Sequence, residues 1–141
     1  MKKAISIFIV EDYQLARITC RKALEQFSDL EIRRDFETAE DCLSALETES
    51  VDIILMDIGL PYMTGIEATK IIKEKYPNIK IIMLTSHDNK EEIISSLASG
   101  ANAYALKDNL LLCILILFCP YLNSFLNFLD NNKDIVLLTI P

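Results

Sequence analysis

Five polar residues each follow a short apolar run: Glu11 and Asp12 after "AISIFIV", Asp57 after "IILM", Thr85 after "IKIIML" and Lys107 after "ANAYAL". Three carboxylates brought to one place repel one another. At ~4 Å and an effective dielectric of ~20, each pair costs roughly 4 kcal/mol. A positive charge must offset that. A hard divalent cation such as Mg²⁺ suits carboxylate oxygens and keeps several waters, and the compact ammonium of Lys107 adds charge from another side. A carboxylate held between a cation and an ammonium is a nucleophile suited to phosphorus. The same positive groups neutralise a phosphoryl group in transfer.

The elements that must position these groups alternate in type. Strands are expected at Ala4–Val10, Leu30–Phe36, Val51–Met56, Ile79–Leu84 and Ala103–Leu106. Helices are expected at Tyr13–Phe27, Thr38–Glu49, Gly65–Tyr76 and Lys90–Ser99. Leu15, Ile18, Leu24 and Phe27 are taken as the apolar face of the first helix, and Ile93, Ile94 and Leu97 as that of the fourth. Strands that are apolar throughout need cover on both faces. The prediction is therefore an α/β fold, a doubly wound parallel five-stranded sheet with helices on both sides. In such a sheet ligands gather beyond the carboxyl ends of the strands, where all five polar residues fall. Gly59 and Pro61 are expected to turn the chain away after Asp57, with Leu60 restricted to an extended conformation by the proline.

Taken singly, each residue has a plainer use. Glu11 and Asp12 could cap a helix, Thr85 could end a strand, Lys107 could be solvated, Tyr104 could pack, and His87 could sit in a surface loop. The ordered set is what resembles a known family, the response-regulator receiver domain of two-component signalling. The matching residues are Glu11–Asp12, Asp57 in "MDIGLPYMTG", Thr85 in "IIMLTSHD" and Lys107 in "ANAYALKD", with Tyr104 at the family's switch aromatic. The wording "MDIGLPYMTGIEATKIIKEKYPNIKIIMLT" is most similar to the NarL/FixJ class, and the receiver resemblance covers about Ala4 to Asp108. The resemblance implies a flavodoxin-like sheet in the order 2-1-3-4-5. It implies Mg²⁺ bound by Asp12, Asp57 and the Gly59 carbonyl, with Glu11 nearby. It implies Asp57 as acceptor of a phosphoryl group from a sensor histidine kinase or phosphotransfer protein. Lys107 and Thr85 would contact the phosphoryl oxygens, and Tyr104 would turn inward as Thr85 moves.

A second class uses a strand-end aspartate with Mg²⁺, the haloacid-dehalogenase type of phosphatase. It wants a second aspartate two residues on, and that position is Gly59. A flavodoxin-like cofactor site is disfavoured too, because the "VEDYQLA" turn is acidic and would repel a phosphate.

The chain has 141 residues and a formal net charge of −7. That length suits one domain, and that charge argues against nucleic-acid binding by this chain. Cys20, Cys42, Cys113 and Cys119 form no CxxC pair, so a reduced, cytoplasmic chain with incidental core thiols is expected. The composition breaks after Asp108. Between Leu110 and Leu129 no charged residue occurs. Residues 1–108 are therefore expected to form the receiver core, and 109–141 an atypical apolar tail in place of a fifth helix and output domain. Three readings of that tail stand open: a truncated or frame-shifted end of a transcriptional regulator, a sticky helix for a partner, or a membrane anchor, which Pro120, Asn123, Ser124 and Asn127 weaken. A homodimer or partner contact through residues 90–118 is a related expectation.

Overall fold

The computed structural model describes residues 3–86, 89–107 and the strand Val136–Leu138. Strand β1 (Ile5–Val10) leads into helix α1 (Gln14–Glu25), then β2 (Leu30–Phe36), α2 (Ala39–Leu46), β3 (Ile53–Asp57), α3 (Gly65–Lys75), β4 (Lys80–Thr85), α4 (Lys90–Ala98) and β5 (Ala103–Leu106). The five strands are parallel in the order β2-β1-β3-β4-β5, the expected doubly wound sheet. A short sixth strand, β6 (Val136–Leu138), pairs in parallel with β5 and extends the sheet to six. It supplies backbone partners to an edge that five strands leave open. The apolar run 108–118 lies outside the described residues, as do His87, Cys113 and Cys119.

Side-chain alternation along the strands builds two cores. Phe8, Val10, Ile54, Met56, Ile81, Met83 and Tyr104 face Ala39, Cys42 and Leu46 of α2 and Ala68 and Ile72 of α3. Ile7, Ile9, Ile53, Leu55, Ile82 and Leu84 face Cys20 and Leu24 of α1. Ser6 is buried in β1 without cost because Asp52 answers it twice. Its N–H and hydroxyl donate to Asp52 Oδ2 at 2.9 and 3.0 Å, and its oxygen accepts from the Asp52 N–H at 2.9 Å.

The helix starts are legible as chemistry. Thr38 caps α2 and Asn89 caps α4. Thr64 and Glu67 form a reciprocal capping box on α3, satisfying two otherwise orphan N–H groups. Two expected apolar faces need correction. Leu15 is 61% exposed and Ile18 is exposed too. Nine residues separate Leu15 from Leu24, which puts them about 180° apart on an α-helix, so both cannot face the sheet. Ile94 is 65% exposed. Ile93 packs against the core, and Ser96, not Ile94, is the buried residue of α4.

Candidate functional site

The register of the sheet lines up the ends that matter. Asp57, the last residue of β3, pairs with Leu84, and Thr85, the last residue of β4, pairs with Leu106. Lys107 follows directly. Glu11 follows β1, and its N–H donates to the Phe36 carbonyl at 2.9 Å. Strand pairing therefore delivers Glu11, Asp57, Thr85 and Lys107 to one rim, with Asp12 exposed at its lip.

Lys107 Nζ lies 2.6 Å from Glu11 Oε2 and 3.1 Å from Asp57 Oδ2. The other oxygens are held by backbone. Glu11 Oε1 accepts from the Tyr13 N–H at 3.2 Å, and Asp57 Oδ1 accepts from the Gly59 N–H at 3.2 Å. The Glu11 carbonyl accepts from Arg17 Nη1 at 2.8 Å, and Arg17 in turn pairs with Asp35 and Glu37. Glu11 and Asp57 are both buried.

Burial pushes the Glu11 carboxyl above its ordinary value. The Lys107 hydrogen bond pulls the other way without overcoming it, and the charge of Asp57 adds to the rise. Burial pulls Lys107 down, but the Glu11 hydrogen bond and the charges of Asp57 and Glu11 outweigh it, and the net shift is upward. The contact at 2.6 Å is short, as charge-assisted bonds are, and the ammonium sits between Glu11 and Asp57.

One oxygen each from Glu11, Asp12 and Asp57 can be chosen within 4.8 Å of one another. All are hard donors, and a cleft of about 360 Å³ opens over them, completed by Gly59, Thr85, Ser86 and Glu92. The donor set fits Mg²⁺, which prefers a few carboxylates and retained waters. A larger cleft, about 760 Å³, lies at the amino end of the strands near Lys3, Ser50 and Tyr76. Its Asp52 is committed to Ser6, so size does not mark the site here.

Thr85 is buried, and its hydroxyl donates to Glu92 Oε2 of α4 at 3.4 Å. The resemblance implied that Tyr104 turns inward as Thr85 moves. The ring is already inside, 1% exposed, within the α2–α3 core. Alternation along β5 sets this face, since Ala103 and Ala105 point to the opposite core. Cys20 and Cys42 are buried free thiols, each pushed up to about 12, mainly by burial. Such thiols are inert packing groups.

Two residues matter that sequence reasoning passed over. Gly65 opens α3 against the end of β3, and a Cβ there would fall 2.0 Å from the Asp57 carbonyl oxygen. A glycine at the first position of a capped helix was the available signal. Glu92 had none, because only the fold brings α4 to Thr85. A Cβ on Gly59 would meet nothing within 4 Å, and the left-handed residue of the loop is Tyr62, at φ 63°.

Among the described residues no helix is long and apolar enough to cross a membrane. The response regulator receiver domain family matches residues 7–111. The chain is 35% identical over 104 residues to the transcriptional regulatory protein DegU of Brevibacillus brevis, covering 74% of this chain and 44% of that protein. It is 34% identical over 103 residues to the response regulator protein VraR of Staphylococcus saprophyticus, covering 73% and 49%. It spans about half the length of the curated relatives it matches. Among solved structures, a CheY-like receiver domain protein from Methanospirillum hungatei superposes with a TM-score of 0.77 at 27% identity, covering 92% of this chain and 98% of that one. A LuxR-family DNA-binding response regulator from Staphylococcus aureus gives 0.73 at 25% identity, covering 90% and 99%.

Proposed function

The chain belongs to the response regulator receiver domain family of two-component signalling, and from that premise we propose that it takes up a phosphoryl group on Asp57. The observation that carries this is Lys107 bridging Glu11 and Asp57 at 2.6 and 3.1 Å, beside Asp12, where β1, β3 and β5 end. A carboxylate oxygen of Asp57 forms a bond to phosphorus as the donor's bond to phosphorus breaks, and the electron pair leaves with the donor. The donor is a phosphohistidine on a sensor kinase or phosphotransfer protein.

Glu11, Asp12, Asp57 and the Gly59 carbonyl would hold Mg²⁺, which supplies charge neutralisation to the phosphoryl oxygens when bound. Lys107 leaves its two carboxylates to meet a phosphoryl oxygen, and Thr85 donates its hydroxyl to another. Thr85 and Tyr104 would form the switch, with the Tyr104 ring on the inside in this structure. The phosphoryl group is a signal rather than an intermediate in turnover. Gly59 stands where a phosphatase of the dehalogenase type places its acid, and the matched relatives give that alternative no support. The match to a transcriptional regulatory protein supports an output in transcription, with any DNA contact made by a segment other than this acidic receiver.

The test is incubation with acetyl phosphate and Mg²⁺ followed by intact mass. A single phosphoryl adduct is expected, absent without Mg²⁺ and absent in Asp57→Asn. An adduct that persists in Asp57→Asn overturns the assignment. Sustained hydrolysis of phosphate monoesters, lost in Asp57→Asn, would restore the phosphatase reading.

A further inference from the structure

We infer that Glu92 is a resting partner of the switch hydroxyl, accepting from Thr85 in competition with an incoming phosphoryl group. The inference rests on the phospho-acceptor reading above. Thr85 is the last residue of β4 and is held at its backbone by pairing with Leu106 of β5, so its side chain is the part that can respond. Its hydroxyl has one proton to donate. A carboxylate only accepts, so at Glu92 Oε2, 3.4 Å away, Thr85 is the donor. A phosphoryl oxygen also only accepts. The two compete for the same proton.

Glu92 lines the same cleft as Asp57 and Lys107. A phosphoryl group adds a charge of about −1.5 to −2 there, which opposes the Glu92 carboxylate as it draws the hydroxyl away. Glu92 is in the first turn of α4, where Asn89 Oδ1 accepts from the N–H of Glu91 at 2.9 Å and of Glu92 at 3.5 Å. Release of Thr85 is therefore felt at the capped start of a helix, and α4 learns the state of Asp57 through one carboxylate. A distance of 3.4 Å makes this a weak tie, as a reversible one must be.

A plainer use for Glu92 is to stabilise the helix N-terminus by its charge. That use does not involve Thr85, and a double-mutant cycle separates the two. The probe is beryllium fluoride binding to the full chain in Mg²⁺, with Mg²⁺ affinity of the unmodified protein as control. E92A should tighten beryllium fluoride binding about fivefold at saturating Mg²⁺, the order expected for one weak competing hydrogen bond. In a T85A background the gain should shrink, leaving only the part that comes from removing the Glu92 charge. E92Q retains an acceptor oxygen and the helix geometry, and should give a smaller gain than E92A. Equal gains from E92A with and without Thr85, or no gain in either, overturn the inference. The underlying reading fails differently: beryllium fluoride would then bind Asp57→Asn as well as the wild-type chain, or T85A alone would not weaken it.

Discussion

On the β1–β3 side of the rim the polar groups are held several times over. Glu11 has Lys107, the Tyr13 N–H and, through its backbone, Phe36 and Arg17. Asp57 has Lys107 and the Gly59 N–H. On the β4–α4 side, the Thr85 hydroxyl reaches Glu92 at 3.4 Å, a longer contact than any of these. The difference divides the labour. A nucleophile is most effective when its position is settled before the donor arrives. A switch must instead rest in contacts weak enough to exchange. One cluster of residues thus serves both needs by distributing rigidity unevenly around a single cleft.

The sharpest way to break the fixed side is through its two glycines. In Gly65→Ala the new Cβ meets the Asp57 carbonyl oxygen at 2.0 Å, and backbone on one side or the other must move. Overpacking of this kind costs about 3 kcal/mol. Gly59→Ala adds a Cβ into open space, and its expected cost is below about 0.5 kcal/mol. Urea denaturation of both variants tests the contrast. Equal losses would mean that the close approach of α3 does not set the end of β3.

The next effect falls on Lys107. Lys107→Met removes the ammonium from two carboxylates while leaving the three acidic groups for a divalent cation. The rate of phosphorylation by acetyl phosphate should fall by about 10²-fold, the loss typical for one donor to developing oxyanion charge. Mg²⁺ affinity, measured by titration calorimetry, should hold or rise because a competing cation is gone. A fall in Mg²⁺ affinity equal to the loss in rate would place Lys107 in organising the metal site instead.

How much of this was legible in the sequence follows the same division. The fixed side was legible. Apolar runs ending at Val10, Met56 and Leu84 announce buried strands, and a parallel sheet sends their next residues to one edge. The convergence of Glu11, Asp12, Asp57, Thr85 and Lys107 follows, whereas the strand order came from the resemblance to the receiver family and not from the pattern of runs. The switch side was legible only in part, because Glu92 reaches Thr85 through the packing of α4 and not through local spacing. Helix faces failed where apolar residues were grouped without regard to angle: Leu15 lies opposite Leu24, and Ile94 lies beside the buried stripe rather than in it. Tyr62 carries no residue-type signal for a positive φ. Strand β6 was not legible because three apolar residues in an apolar tail look like their neighbours.

The smallest expected effect probes how far the fixed side extends. Tyr62 is 88% exposed and adopts φ 63°, a region that costs a residue with a side chain about 1–2 kcal/mol. Glycine relieves that strain but adds freedom to the unfolded chain, at about 0.5–1 kcal/mol. Tyr62→Gly should therefore raise stability by about 0.5 kcal/mol, readable as a shifted urea midpoint with an unchanged slope. The loop is also tied down at its far end, where the Met63 N–H donates to Glu40 Oε1 at 3.2 Å and the Thr64–Glu67 capping box begins α3. If strand contacts, Gly65 and that box position Asp57, the acetyl phosphate rate should stay within about twofold in Tyr62→Gly. A several-fold fall in rate with stability gained would show that the strained turn itself aims the carboxylate, and the fixed side would then reach from β3 through the whole loop to α3.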